Sequence, residues 1–158
     1  MKFLPSKRKR FCLVNSQVET VDRLIRRTKK SDWLISTSTE KSFIGEINGN
    51  KFRLISSKIG RGAFCKLTGE VNTTSGFVDV EIHKAFKILL SLLYLLPVIG
   101  ITTFLMKDEK EFSTLMAVSF ISQILIIRFI AIPLTFHRNL KDSLNRLRDV
   151  LDIEWTEH

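Results

Sequence analysis

Cysteine, histidine and proline are scarce in this chain: its 158 residues include two, three and three of them. With only Cys12 and Cys65 no disulfide framework can be built, and in a reducing compartment both are most simply free thiols packed in a core. His83, His137 and His158 stand at no metal-ligand spacing with the cysteines, and neither Ser-His-Asp nor Cys-His chemistry can be assembled around them. The sequence therefore leads us to expect no cofactor, no metal site and no enzyme active site. No apolar run follows the N-terminus closely enough to make a secretory signal. Carboxylates are also few, with 16 Asp and Glu against 25 Lys and Arg for a net charge of +9. The excess of positive charge is not interleaved with aromatics in any recognition motif, so nucleic acid is not the expected partner.

What the chain has in quantity is long apolar runs. From Ile88 to Met106 no residue is charged, and at about 1.5 Å rise per residue the run spans roughly one hydrocarbon core. A second run, Ser113 to Phe136, is interrupted only by Arg128. Lys107-Asp108-Glu109-Lys110-Glu111 connects them, and we expect residues 86–136 to form a transmembrane helical hairpin. Residues 1 to 84 hold seventeen Lys and Arg against eight Asp and Glu, while the connection holds two against three. By the positive-inside rule this asymmetry predicts both termini in the cytoplasm and an inner-membrane, two-pass protein. The bilayer is then the first partner.

Around the hairpin the remaining residues suffice for one small domain. Lys7-Arg8-Lys9-Arg10 reads as a solvated, mobile tail or as a contact for anionic headgroups near the membrane. Phe11 to Asn15 suits a short first strand. Ser16-Gln17-Val18-Glu19 reads as a capping box, opening a helix whose apolar stripe is Val18, Val21, Leu24 and Ile25, with Arg23, Arg26, Arg27, Lys29 and Lys30 off it. Those cations suit the negative end of the helix dipole, or else present a membrane-facing or partner-facing surface. Strands are expected over Trp33–Ser38, Phe43–Ile47, Lys51–Ile55, Cys65–Val71 and Phe77–His83, and Asn48-Gly49-Asn50 supplies positive backbone φ angles for a tight hairpin turn. Leu140, Leu144, Leu147 and Leu151 mark a second amphipathic helix, expected to pack on the sheet, with a neighbouring subunit or the lipid interface as other destinations.

The expected fold class is therefore α+β: a small antiparallel β-rich cytoplasmic domain (residues 1–85), a two-helix transmembrane hairpin (86–136), and a flanking amphipathic helix and tail (137–158) returning to the first domain. Arg128, placed about one turn inside the cytoplasmic boundary, is expected to snorkel to phosphates, and Lys87 to lie at the same boundary. Ser119 and Gln123, four residues apart on the second span, are expected to form a helix contact. Arg53, Lys58 and Arg61 are the candidate ligand-binding residues if the β domain encloses a cavity.

The stretch Phe43-Ile44-Gly45-Glu46-Ile47-Asn48-Gly49-Asn50-Lys51-Phe52-Arg53-Leu54, followed by another strand pair and two spans, resembles small bacterial two-span membrane proteins that carry an F-x-G-x-I-x-x-x-x-F-x-L hairpin. The resemblance covers residues 11 to 136 and implies a structural motif, with no active site carried over. In architecture the chain also looks like the membrane effectors of bacterial cyclic-oligonucleotide anti-phage signalling, although those usually place their spans before the β domain. Two functions are thus expected: a non-enzymatic binding or scaffolding module, able to self-associate or hold a protein partner, or an effector whose β domain senses a small nucleotide and whose hairpin perturbs the membrane.

Overall fold

The computed structural model describes residues 4–35, 37–58, 62–106 and 114–156. It divides the chain into two units, one made of residues 1–83 and 136–158, the other of residues 84–135. The fold is mixed α and β.

The first unit is built on a seven-stranded sheet. Its strands are β1 (Ser6–Leu13), β2 (Thr28–Lys30), β3 (Phe43–Asn48), β4 (Lys51–Ser56), β5 (Cys65–Val71), β6 (Ser75–Ile82) and β7 (Ile153–Trp155), in the order β2-β3-β4-β5-β6-β1-β7. Only β2 and β3 run parallel; the other neighbours are antiparallel. Alternation sets the faces. Leu67, Val71, Val78, Val80 and Ile82 are buried on one side, and the register aligns Phe43, Gly45, Ile47, Phe52 and Leu54 with them. The positions of the F-x-G-x-I-x-x-x-x-F-x-L pattern therefore all lie on the core face.

The β3–β4 turn is a two-residue loop, Gly49-Asn50, closed by the pair Asn48 and Lys51. Gly49 has φ +59° and is the only residue of the turn with a positive φ, which is the pattern of a type II′ turn and not the two positive angles expected from the sequence. On the opposite face Leu34, Ile44 and Ile55 form a smaller buried cluster with Ala63 packed against it.

α1 (Gln17–Arg27) begins at Ser16, whose hydroxyl accepts from the Glu19 amide at 3.3 Å. The reciprocal half of the expected capping box is absent, because the Glu19 carboxylate is taken by Arg23 at 2.8 Å. The buried stripe is also rotated. Thr20 and Leu24 are buried and Gln17 donates to the Val71 carbonyl at 2.7 Å, whereas Val18 and Ile25 are exposed. The bond from Gln17 to the end of β5 fixes a face one residue away from the apolar stripe legible in the sequence. In α4 (Ile132–Leu151), Phe136, Leu140, Leu144, Leu147 and Leu151 are all buried, a spacing of three to four residues on one face. The helix ends at Asp152, whose amide still bonds the Arg148 carbonyl at 2.8 Å and whose φ of +54° turns the chain out of the helix. Asp tolerates this left-handed cap position better than most side chains. The reversal delivers β7 to β1, where Trp155 meets Phe11 edge to face with centroids 6.0 Å apart.

Two expectations about strands are corrected. Lys7, Arg8, Lys9 and Arg10 are not a mobile tail: they lie within β1, paired with Val80, Asp79, Val78 and Phe77. Their charges hide the strand from a hydropathy pattern, since only Phe11 of β1 is fully buried. No strand occurs among the described residues between Lys30 and Phe43; Trp33 is exposed there and Leu34 alone turns inward to the smaller cluster.

The second unit contains α2 (Lys84–Met106), α3 (Thr114–Ile126) and a π-helical segment (Ile127–Ala131) that leads into the start of α4. Two stretches, Lys84–Thr103 and Val118–Leu151, are long and apolar enough to cross a membrane, and only 6% and 11% of their apolar windows are buried within the protein. α2 and α3 pack against each other, with Gly100 so close to the Phe120 ring that a Cβ would lie 2.8 Å from it. The π segment has a covalent cause. Pro133 has no amide hydrogen, and its ring would clash with the carbonyl four residues back in a regular helix; the ladder opens there instead, the Ile132 amide bonding the Ile127 carbonyl.

Candidate functional site

α1 carries Arg23, Arg26 and Arg27 at spacings of three and four, which places them on neighbouring positions of one helical surface. They face a cleft of about 950 Å³ that is also lined by the 39–42 loop, by Ser57 and Lys58 after β4, and by Arg146, Asp149 and Val150 of α4. All of these belong to the sheet unit.

The loop is held in place by its backbone. Ser57 donates from its amide to the Ser42 carbonyl at 3.1 Å, and from its hydroxyl to the Lys41 and Ser42 carbonyls. Lys41 Nζ donates to the Arg26 carbonyl, tying the loop to the last turn of α1. Arg146 reaches across from α4, its Nη1 donating to the Ser42 carbonyl at 3.4 Å and Ser56 Oγ at 3.3 Å.

Cations dominate the lining. Arg23, Arg26, Arg27, Lys41, Lys58 and Arg146 stand against two carboxylates, Glu40 and Asp149. Two of the six are partly neutralised from outside that lining. Arg23 binds Glu19 at 2.8 Å and Asp152 at 3.2 Å, and those hydrogen bonds, Glu19 first, raise the pKa of its guanidinium. Lys58 pairs with Asp142 at 3.0 Å. Arg26 and Arg27 are exposed, and among the described residues their guanidinium groups have no partner. Such an arrangement binds anions, with the hydroxyls of Thr39, Ser42 and Ser57 as further donors.

Of the three residues singled out for ligand binding, the two that are described do not converge. Lys58 is in the cleft. Arg53 is exposed on the opposite sheet face, across from Glu46 and Thr68, in a shallow depression of about 400 Å³ that includes Lys51 and Glu70. Strand parity separates them, because Arg53 alternates away from the core side on which Ser56 meets Arg146. Arg61 lies outside the described residues. The sheet's core side carries the buried side chains of Leu54, Leu67, Val71, Val78, Val80 and Ile82, and the cleft is open to solvent.

The basic run of β1 has partners in the sheet. Arg8 grips Asp79 through two bonds of 2.7 and 2.6 Å and lies over the Phe77 ring at 4.8 Å; the bonds to Asp79 raise its pKa. Lys9 Nζ sits 5.9 Å from the Trp155 ring centre, and Lys7 and Arg10 line a small depression beside it. In the second unit, Lys87 is in the first turn of α2, where its carbonyl accepts from Ser91 at 3.0 Å, and half-buried Arg128 lies within the π segment. Ser119 and Gln123 are exposed, and one contact between α2 and α3 lies at Gly100 and Phe120. Among the described residues no group of three His, Cys, Asp or Glu side chains converges as a metal site would require.

The chain was compared with protein-family models, with curated proteins and with solved structures, and none of the three gave a match. The cleft is therefore interpreted from its own chemistry. Sequence reasoning missed it as a site: Arg23, Arg26, Arg27 and Arg146 were visible as charges on two helices far apart in the chain, and nothing local brings them together.

Proposed function

We propose that this chain is a two-pass integral protein of the inner membrane, with both termini cytoplasmic, whose sheet unit is a non-enzymatic binding or scaffolding module. One observation carries the reading. The sheet unit is assembled from segments on both sides of the two apolar stretches, with β7 hydrogen-bonded to β1. Partners in one sheet lie on the same side of a membrane, so an even number of crossings is required, and the two stretches make a hairpin. The exposure of Leu92, Leu96, Ile99, Ile121 and Leu125, each at least half exposed, supports lipid as their solvent. The excess of Lys and Arg in residues 1 to 84 supports the cytoplasmic side. Exposed Ser119 and Gln123 support self-association, since polar groups facing lipid are better satisfied against another helix.

Alkaline carbonate washing of membranes tests the anchoring, and the protein should stay in the pellet until detergent is added. A monodisperse protein in plain buffer would sink it. For topology, a single cysteine introduced at position 109 in a Cys12→Ser background should react with an impermeant maleimide in intact cells, and one at position 58 should not.

The π segment around Arg128 favours a second reading, that of a membrane effector driven by a ligand on the sheet unit, because such segments occur frequently at functional sites. Overexpression should then depolarise cells, and Arg128→Leu should alter that permeability. A harmless protein that co-purifies with a partner supports the first reading.

A further inference from the structure

We propose that the cleft between α1 and α4 is a binding site for a polyanion bearing two or more phosphate groups. This rests on the sheet unit being a binding module and names what the module takes. Six cations converge on about 950 Å³ with two carboxylates among them; Arg23 and Lys58 are paired from outside, so Arg26, Arg27, Lys41 and Arg146 carry the excess. That volume lies toward the upper end of small-molecule sites and far exceeds one phosphate.

The charges also differ in how they are held. Arg146 and Lys41 are fixed by bonds to the backbone carbonyls of Ser42 and Arg26, which use part of their donor capacity and leave the charge uncompensated. Among the described residues the guanidinium groups of Arg26 and Arg27 have no hydrogen-bond or ion-pair partner. A guanidinium has five N–H donors in a planar fork, matched to phosphate oxygens. Bringing these cations together is unfavourable by itself, and a multiply charged anion relieves the repulsion while taking the open forks of Arg26 and Arg27. A single carboxylate could occupy only one of the two open guanidinium forks, Arg26 or Arg27. The same phosphate chemistry is offered by a soluble polyphosphate compound and by a phosphorylated lipid headgroup.

Calorimetry on the full chain in neutral detergent tests the site with two probes, inorganic tripolyphosphate and dioctanoyl phosphatidylinositol bisphosphate, against chloride at matched ionic strength. Saturable binding of either probe is expected, weakening steeply with added salt. Arg26→Ala/Arg27→Ala should reduce affinity about tenfold or more, roughly the loss of two charge-assisted contacts, and Arg26→Lys/Arg27→Lys should restore part of it. Arg53→Ala on the other sheet face should bind as the parent does. Equal binding of both probes supports recognition of the phosphate groups alone, preference for tripolyphosphate assigns a soluble ligand, and preference for the lipid assigns a headgroup. No binding beyond the chloride control, or unchanged binding by the double alanine variant, overturns the proposal. Carbonate extraction reads the membrane anchoring independently, so either conclusion can fail without the other.

Discussion

Gly45 shows how far one position constrains the sheet. Its φ is +151°, and a Cβ would stand 2.1 Å from the Arg53 carbonyl oxygen across the β3–β4 pair. That oxygen is backbone and cannot swing away, so Gly45→Ala should destabilise the sheet unit by about 2 kcal/mol or more, read as a lowered thermal midpoint in detergent. Gly49→Ala meets no neighbouring atom and should cost only about 1 kcal/mol for its φ of +59°. The two thiols divide in the same way. Cys12 is exposed, whereas Cys65 is buried and burial pushes its thiol up to about 12 from an ordinary 9.0. A thiol whose folded pKa is raised contributes stability that is complete below pH ~9 and lost as pH climbs toward ~12. Maleimide should therefore label Cys12 and spare Cys65 in the native protein at pH 8, and Cys65→Ala should flatten the alkaline fall in thermal midpoint.

At the scale of elements, the β3–β4 hairpin was legible because alternation, a Gly-Asn turn and a core-side motif all lie within twelve residues. β5 was equally plain from Cys65 to Val71. β1 was not, since Lys7 to Arg10 read as solvated charge until β6 supplies Asp79 and Phe77 beside Arg8, some seventy residues away. The three-residue β2 has no pattern of its own, and it forms where the chain leaving α1 meets β3 in parallel. α1 was correctly expected as a helix but with the wrong face, because Val18 and Ile25 outweigh Thr20 on any hydropathy scale while Gln17 and Leu24 make the contacts. The Leu140-Leu144-Leu147-Leu151 stripe of α4 needed no such correction: all four are buried. Leu147→Ala should cost about 2–5 kcal/mol, the penalty for an emptied core position. Leu92→Ala, on an exposed position of α2, should leave the same midpoint unmoved.

For the whole molecule, charge and hydropathy along the sequence were enough to locate the two apolar stretches and to separate them from the residues around. The basic cleft needed the fold, because Arg23 and Arg146 lie more than a hundred residues apart and meet only through the association of α1, the 39–42 loop and α4. The sheet unit is likewise discontinuous, drawing on residues 1–83 and 136–158. Deleting residues 136–158 should leave a protein that aggregates even in detergent, seen as void-volume elution on size exclusion, since Leu147, Leu151 and Ile153 are nearly or fully buried and β1 would lose its outer neighbour.

The pairing of β7 with β1 also sets a timetable for biosynthesis. A ribosome that has emitted the first six strands has emitted a sheet still missing its seventh, and the gap persists until the residues between Ile82 and Ile153, with both apolar stretches among them, have been translated. Maturation is gated by the codons for residues 136–158, so nascent chains stalled before them present an open β-edge to proteolytic surveillance.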